Sequence, residues 1–177
     1  GSMRSALKTK KGFKGTIEFF PEEGKYHYDG HRDCGVSMTP RETIRNNFLC
    51  PVCGKKATVG VMHRVEKLAD RDDGFRPKNA PEYSSIIPLA ELIAESLQCG
   101  VNTKKVRTVH DRLLEQLGNE FTVLLKAEPR DIETASTPEI AEAISLMRAG
   151  KVRITPGFDG EYGKIRIFER PALWDAK

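Results

Sequence analysis

His31-Arg32-Asp33-Cys34-Gly35 and Cys50-Pro51-Val52-Cys53-Gly54 decide how this chain is read. Together they spell H-x2-C, fifteen intervening residues and C-x2-C, each half ending in Gly. Two ligands three positions apart on a tight turn grip one ion from one side, and two such halves complete a tetrahedron. A glycine just past the second ligand adopts positive φ without steric cost and lets turn amides point at the sulfurs. The pattern predicts one zinc ion held by His31, Cys34, Cys50 and Cys53, with His27 and His63 as competing fourth ligands. Four protein ligands leave no position for an activated water. Apparent binding energies of about 10–16 kcal/mol rival a whole domain's stability of about 5–15 kcal/mol. The zinc is therefore expected to be structural rather than catalytic.

Outside this segment the composition is ordinary. With 38% hydrophobic and 31% charged residues, the 177-residue chain can build a core and is neither disordered nor fibrous. No apolar run approaches the roughly 20 residues needed to span a bilayer. The N-terminus has no basic region followed by an apolar one. The expectation is a cytoplasmic chain without a membrane partner, in a reducing compartment where cysteines bind metal rather than form disulfides. Cys99, following a helix and preceding Gly100, reads as a core-facing or partly buried thiol. Up to Ala80 there are 16 Lys+Arg against 10 Asp+Glu, and from Pro81 onward 13 against 15. A polyanionic partner would therefore meet the first part of the chain.

His31-Arg32-Asp33 has the letters of a kinase catalytic loop, but no Asn stands five positions after the Asp and no Asp-Phe-Gly follows. A Walker loop and a dinucleotide-binding fingerprint are absent too. Residues 16–20 and 25–28, separated by Pro21-Glu22-Glu23-Gly24, read as paired strands leading into the metal site. Thr39 and Pro40 open a short helix, and Thr58 to Val61 reads as a further strand. From Val65 the chain loses periodicity through Arg71 to Pro81, which reads as a long exposed loop and the boundary between modules.

The remainder alternates between helical stripes and a terminal hairpin. Leu89, Leu92, Ile93 and Leu97 share one helix face; Val106, Val109, Leu113, Leu114 and Leu117 share another; Ile140, Ala143, Ile144 and Met147 share a third. His110 and Met147 read as packing residues. Val152, Ile154, Ile165 and Ile167 alternate around the Gly-rich stretch Pro156 to Gly163. That stretch, with Phe158 and Tyr162, reads either as a stacking surface for nucleic acid or as a loop packed by its own aromatics. The fold class is α+β: a small zinc-ribbon-like β module, then a mainly helical domain with a C-terminal β-hairpin. The expected division is 13–80 for the zinc-binding module and 81–177 for the helical domain.

Residues 15–32, the Cys34/Cys50/Cys53 pattern, residues 61–71 and the loop from Gly157 to Gly163 together resemble the C-terminal half of endonuclease Q. They run in order over nearly the whole chain. Proteins of this family have also been labelled helicase-related, although no helicase motif is present here. The resemblance implies a repair nuclease that nicks DNA beside deaminated bases such as uracil or hypoxanthine. It also implies a catalytic polymerase-and-histidinol-phosphatase (PHP) domain, using Mg or Mn, that precedes the part matched here. The His- and Asp-rich metal cluster of that domain is missing from this sequence, so the chain itself is expected to be inactive, with catalysis assigned to the PHP domain as an intramolecular partner. Residues 1–12 then read as a tag remnant followed by linker, and His31, Cys34, Cys50 and Cys53 match the zinc positions. Candidate DNA contacts are Lys55, Lys56, Arg64, Arg71, Lys104, Lys105, Arg107, Phe158 and Tyr162, the basic ones equally readable as solvated charges. The alternative is a protein-interaction module that docks a partner or the nuclease domain.

Overall fold

A computed structural model describes residues 2–168. Gly1, part of the expected tag remnant, and residues 169–177, the end of the expected helical domain, lie outside the described residues. The described chain is α+β, with eight helices and three two-stranded sheets.

Helix α1 (Met3–Thr9) carries no buried residue and leads into β1 (Gly15–Glu18). A hairpin between residues 16–20 and 25–28 does not form. Pro21 opens a single 3-10 turn over Pro21–Glu23, which breaks the extended run, and β1 pairs instead in parallel with β4 (Glu82–Ser85). Phe20, the next residue after β1 but one, is drawn toward the helical core. Next come β2 (Asp29–His31) and β3 (Val36–Met38), antiparallel, with His31 opposite Val36. Between them a 3-10 turn over Arg32–Cys34 ends at Gly35.

Helix α2 (Pro40–Arg45) forms as its Thr39-Pro40 start predicts, closed by a complete capping box between Thr39 and Glu42. The expected strand at Thr58 to Val61 reduces to one bridge, Thr58 with Gly30, because helix α3 (Val61–Leu68) already begins at Val61. The loss of periodicity expected from Val65 begins later, because α3 continues to Leu68; from Ala69 to Pro81 there is no helix or strand, in keeping with the aperiodic sequence there.

Five helices make the main core: α4 (Leu89–Ser96), α5 (Lys104–Leu117), α6 (Glu120–Leu125), α7 (Pro129–Ala135) and α8 (Pro138–Arg148). Three follow from the apolar stripes. The short α6 and α7 do not, although Asn119 caps α6 by accepting the Thr122 N–H and Pro129 opens α7. Leu89, Leu92, Ile93, Leu113, Leu124, Ile132, Ile140 and Ile144 are fully buried. Each such side chain contributes about 1.5–3 kcal/mol of transfer free energy. The Arg148 guanidinium crosses this core and donates to the carbonyls of Val123, Leu124 and Ala127, each at 2.8 Å. It thereby satisfies the C-terminal carbonyls of α6. Burial pulls its pKa below the ordinary value, but a guanidinium so placed stays charged.

The chain ends in the hairpin β5 (Arg153–Thr155) and β6 (Lys164–Arg166), in which Ile154 faces Ile165. Ile165 and Ile167 join the core, whereas Ile154 is exposed. Leu92→Ala is expected to cost about 2–5 kcal/mol, since the packed helices around it cannot collapse fully into the cavity. Urea denaturation followed by circular dichroism measures it.

Candidate metal centre and nucleic-acid surface

The ligating atoms of His31, Cys34, Cys50 and Cys53 all lie within 4.8 Å of one another. His31 Nδ1 is 3.6 Å from Cys53 Sγ. Bonds of about 2.0–2.3 Å to one tetrahedral ion require edges of roughly 3.3–3.8 Å, so small rotamer adjustments suffice to close the cage. Cys50 is buried, Cys34 half-buried and Cys53 exposed. Gly35 and Gly54 take φ of +62° and +71°, the left-handed conformation their places past each half predict. Three thiols and an imidazole are a soft to borderline donor set, suited to a divalent ion such as zinc.

The electrostatics of the metal-free cluster are asymmetric. Hydrogen bonding with Cys53, then burial and the nearby Cys50, push the Cys34 thiol up to about 11. Burial also works against the Cys50 thiolate, but backbone N–H groups of Cys53 and Val52 directed at its sulfur outweigh it and set its pKa below the ordinary value.

The two competing histidines are engaged elsewhere. His27 Nδ1 lies 3.0 Å from the Pro21 carbonyl. His63 Nδ1 lies 2.8 Å from Oδ2 of Asp29, whose side chain is fully buried. Oδ1 of Asp29 accepts the Gly60 N–H at 2.7 Å. This carboxylate, which the sequence reading did not single out, joins β2 to the start of α3. Cys99 stands apart from the cluster, half-buried, with Sγ 3.5 Å from the Thr103 hydroxyl.

The Gly157 to Gly163 loop folds back over residues 22–32. Tyr28 N–H donates to the Gly157 carbonyl and Gly160 N–H to that of Lys25. Phe158 packs on Gly30, where a Cβ would collide with both its ring and the Val36 carbonyl. Asp159 Oδ2 accepts the N–H of Arg32, the residue after His31, at 2.7 Å. Burial opposes the Asp159 charge, yet the Arg32 N–H, the Thr58 hydroxyl and the charges of Arg32 and His31 hold its carboxyl below the ordinary value. Phe158 is thus a half-buried packing group, while Tyr162 stands exposed with the Lys25 ammonium 4.5 Å over its ring.

The remaining basic candidates are exposed. Lys55 and Lys56 follow the second knuckle, and Arg64 lies on α3. Arg71 pairs with Asp70 and covers the Phe75 ring. Lys104, Lys105 and Arg107 occupy the first turn of α5, which has no acidic residue there.

Fold and cluster together define an α+β chain with a Cys3His centre and no helix, among the described residues, long and apolar enough to cross a membrane. Residues 88–151 match the family model described as the MJ0043 C-terminal domain. The chain is 36% identical over 154 residues to the uncharacterized protein MJ0043 of Methanocaldococcus jannaschii, covering 87% of this chain and 19% of that protein. It is 32% identical to the uncharacterized protein YqxK of Bacillus subtilis, covering 82% of this chain and 34% of that one. The particular likeness is to endonuclease Q. The crystal structure of the lesion-specific endonuclease PfuEndoQ from Pyrococcus furiosus matches with a TM-score of 0.76 and 33% identity, over 90% of this chain and 40% of that one. Endonuclease Q in complex with a 27-mer duplex carrying an abasic lesion matches with a TM-score of 0.76 and 32% identity, over 99% of this chain and 45% of that one. The resemblance read from the sequence is therefore shown, and the chain spans less than half the length of each of these proteins.

Two outcomes follow from the geometry. Metal affinity should fall steeply as pH drops from about 8 to about 6, because each bound thiolate must displace a proton; competition against a chromophoric chelator measures it. Asp29→Ala should cost at least about 1–3 kcal/mol by stranding the Gly60 N–H and His63, read as a lowered denaturation midpoint with helical content otherwise retained.

Proposed function

We propose that this chain is the zinc-stabilised, DNA-binding portion of a repair endonuclease that nicks DNA beside deaminated bases such as uracil or hypoxanthine. The observation that carries the reading is the likeness, over 99% of the chain, to endonuclease Q holding duplex DNA. In this reading the zinc fills the closed Cys3His cage and holds backbone rather than activating water. Hydrolysis with Mg or Mn belongs to a PHP nuclease domain that the 177 residues do not contain. Residues 13–80 serve as the zinc-binding unit and 81–177 as the helical one.

Within this portion, exposed Lys55, Lys56 and Arg64 beside the metal region, with Arg71 beyond them, neutralise phosphates and set the register on the duplex. Lys104, Lys105 and Arg107 do the same from the start of α5, where the helix dipole favours the same anion. Of the two loop aromatics, exposed Tyr162 is better placed than Phe158 to meet a base, because Phe158 already fills the space over Gly30.

A second reading has one observation in its favour. The β1–β4 pair is parallel yet exposed, with Ile17, Phe19 and Phe121 around a groove beside it, whereas parallel sheets are usually covered on both faces. That surface suits docking of a protein partner or of the nuclease domain.

Salt separates the two. Binding to a labelled duplex carrying one deoxyuracil or deoxyinosine should weaken linearly in log–log form with salt, and removing one phosphate contact, as in Lys104→Ala, should lower the slope by about 0.9. Preference for the lesion over undamaged duplex would put base reading in this chain. Equal binding would make it a backbone clamp, and no binding by folded, zinc-loaded protein would leave the docking reading.

A further inference from the structure

Four side chains that no motif singles out as a set meet at the tip of the Gly157 to Gly163 loop. Lys25 holds its ammonium over one face of the Tyr162 ring, which is 70% exposed. Tyr26 is also exposed, and the position a Cβ would take at Gly160 lies 3.5 Å from Arg32 Nη1 and 3.7 Å from the Tyr26 hydroxyl. Two cations and two accessible phenol rings therefore share one small surface. A largely exposed aromatic ring with a cation beside it offers a stacking surface next to a phosphate-binding charge, the combination that unpaired nucleotides require.

This surface is tied to the metal centre. Lys25 and Tyr26 lie between residues whose backbones bond the loop: Gly157 N–H donates to the Glu22 carbonyl at 2.8 Å, and Gly163 N–H to the Glu23 carbonyl at 3.0 Å. Gly160 N–H reaches the Lys25 carbonyl itself at 3.0 Å. From the other side Asp159 grips the backbone of Arg32, one residue from His31. Ordering His31 in a metal cage therefore orders Arg32, Asp159 and the loop that presents Tyr162, as partners of ligating residues commonly do.

We propose that Lys25, Tyr26, Arg32 and Tyr162 form a contact surface for an unpaired nucleotide, and that Asp159 is a positioning residue making its geometry depend on metal occupancy. The inference rests on the DNA-binding reading and adds to it a ligand class and a means of control. Neither Asp159 nor this cation–aromatic cluster touches the groove beside β1 and β4, so the two surfaces can be tested apart.

The test uses the metal-loaded chain with two probes, a fluorescein-labelled oligothymidylate and a fully paired duplex. Tyr162→Ala, a change at an exposed site, is expected to weaken oligothymidylate binding about 5- to 150-fold, the loss of one base–aromatic stack, and to leave duplex affinity as in the parent chain. Chelation of the metal and Asp159→Ala should each reproduce the oligothymidylate loss. Asp159→Asn, whose amide oxygen still accepts the Arg32 N–H, should retain binding. Hydrogen exchange at the amides of Gly160 and Gly163 should speed up on chelation while amides of α8 stay protected. Unchanged oligothymidylate binding in Tyr162→Ala, an equal loss on duplex, or identical Gly160 exchange with and without metal would overturn the proposal. Duplex binding without oligothymidylate binding would defeat this surface and leave the DNA-binding reading standing; binding of neither probe would defeat both.

Discussion

The Asp29 carboxylate is the constraint on which the metal-bearing region depends. A carboxylate sealed from water is tolerated only when its oxygens are fully engaged, because the desolvation cost reaches several kcal/mol per ion. Here one oxygen takes the Gly60 N–H and the other meets His63. Those two contacts fix where α3 begins relative to β2. Gly30, the next residue, is bridged to Thr58 and faced by Phe158, and the residue after it is the candidate ligand His31. Three consecutive residues thus carry a buried carboxyl group, a close backbone approach and a candidate metal ligand, so β2 has little freedom to shift its register.

The helical core is held by a different force. Its aliphatic side chains are excluded from water without need of metal, with Arg148 spanning three carbonyls and the Glu95 and Glu120 carboxylates taking backbone N–H groups at its edges. The metal region is poor in such burial, with Met38, Pro40, Cys50 and Ala57 as its larger buried apolar residues among those described. A region with so small a core gains from a cross-link, which a metal ion in the Cys3His cluster would provide. The two parts are joined by backbone hydrogen bonds, through β1 with β4 and through residues 22–28 with the hairpin loop, together with the Asp159 carboxylate on the Arg32 N–H and Phe158 on Gly30. Gly30, Gly157 and Gly163 all sit at these junctions, where an added Cβ would meet backbone or ring atoms.

Much of this was legible in the sequence because its causes are local. The two knuckles are set by spacing and by glycine's access to positive φ, and the structure gathers their four side chains. Thr39-Pro40 announces a helix through its own cap, and the long apolar stripes of α4, α5 and α8 follow from periodicity. What failed depends on distant partners. Residues 16–20 have strand character, but nothing near them reveals that their partner is Glu82–Ser85 rather than residues 25–28. Helices α6 and α7 are too short for a convincing stripe, though Asn119 and Pro129 were available as start signals. Asp29 was invisible as a buried charge, since its partners lie 31 and 34 positions away. The Gly157–Gly163 loop left two readings open, and the structure divides them between its residues: Phe158 packs inward and Tyr162 faces solvent.

A metal ion held by the Cys3His cluster would act on this loop through the backbone rather than through chemistry of its own. A four-ligand cage offers no Lewis-acid position, so its influence must pass through the backbone it holds. The paths leaving it are short: His31 to Arg32 to Asp159 in one direction, and His31 through Gly30 to Phe158 in the other. Both end on the same loop, which also carries the exposed Tyr162 beneath Lys25. An isolated surface cation–aromatic pair gains only about 0.5–1 kcal/mol and would not hold one geometry by itself. Fixed by four backbone hydrogen bonds and a buried strand, it becomes part of a rigid surface, with its ordering cost met during folding rather than on binding.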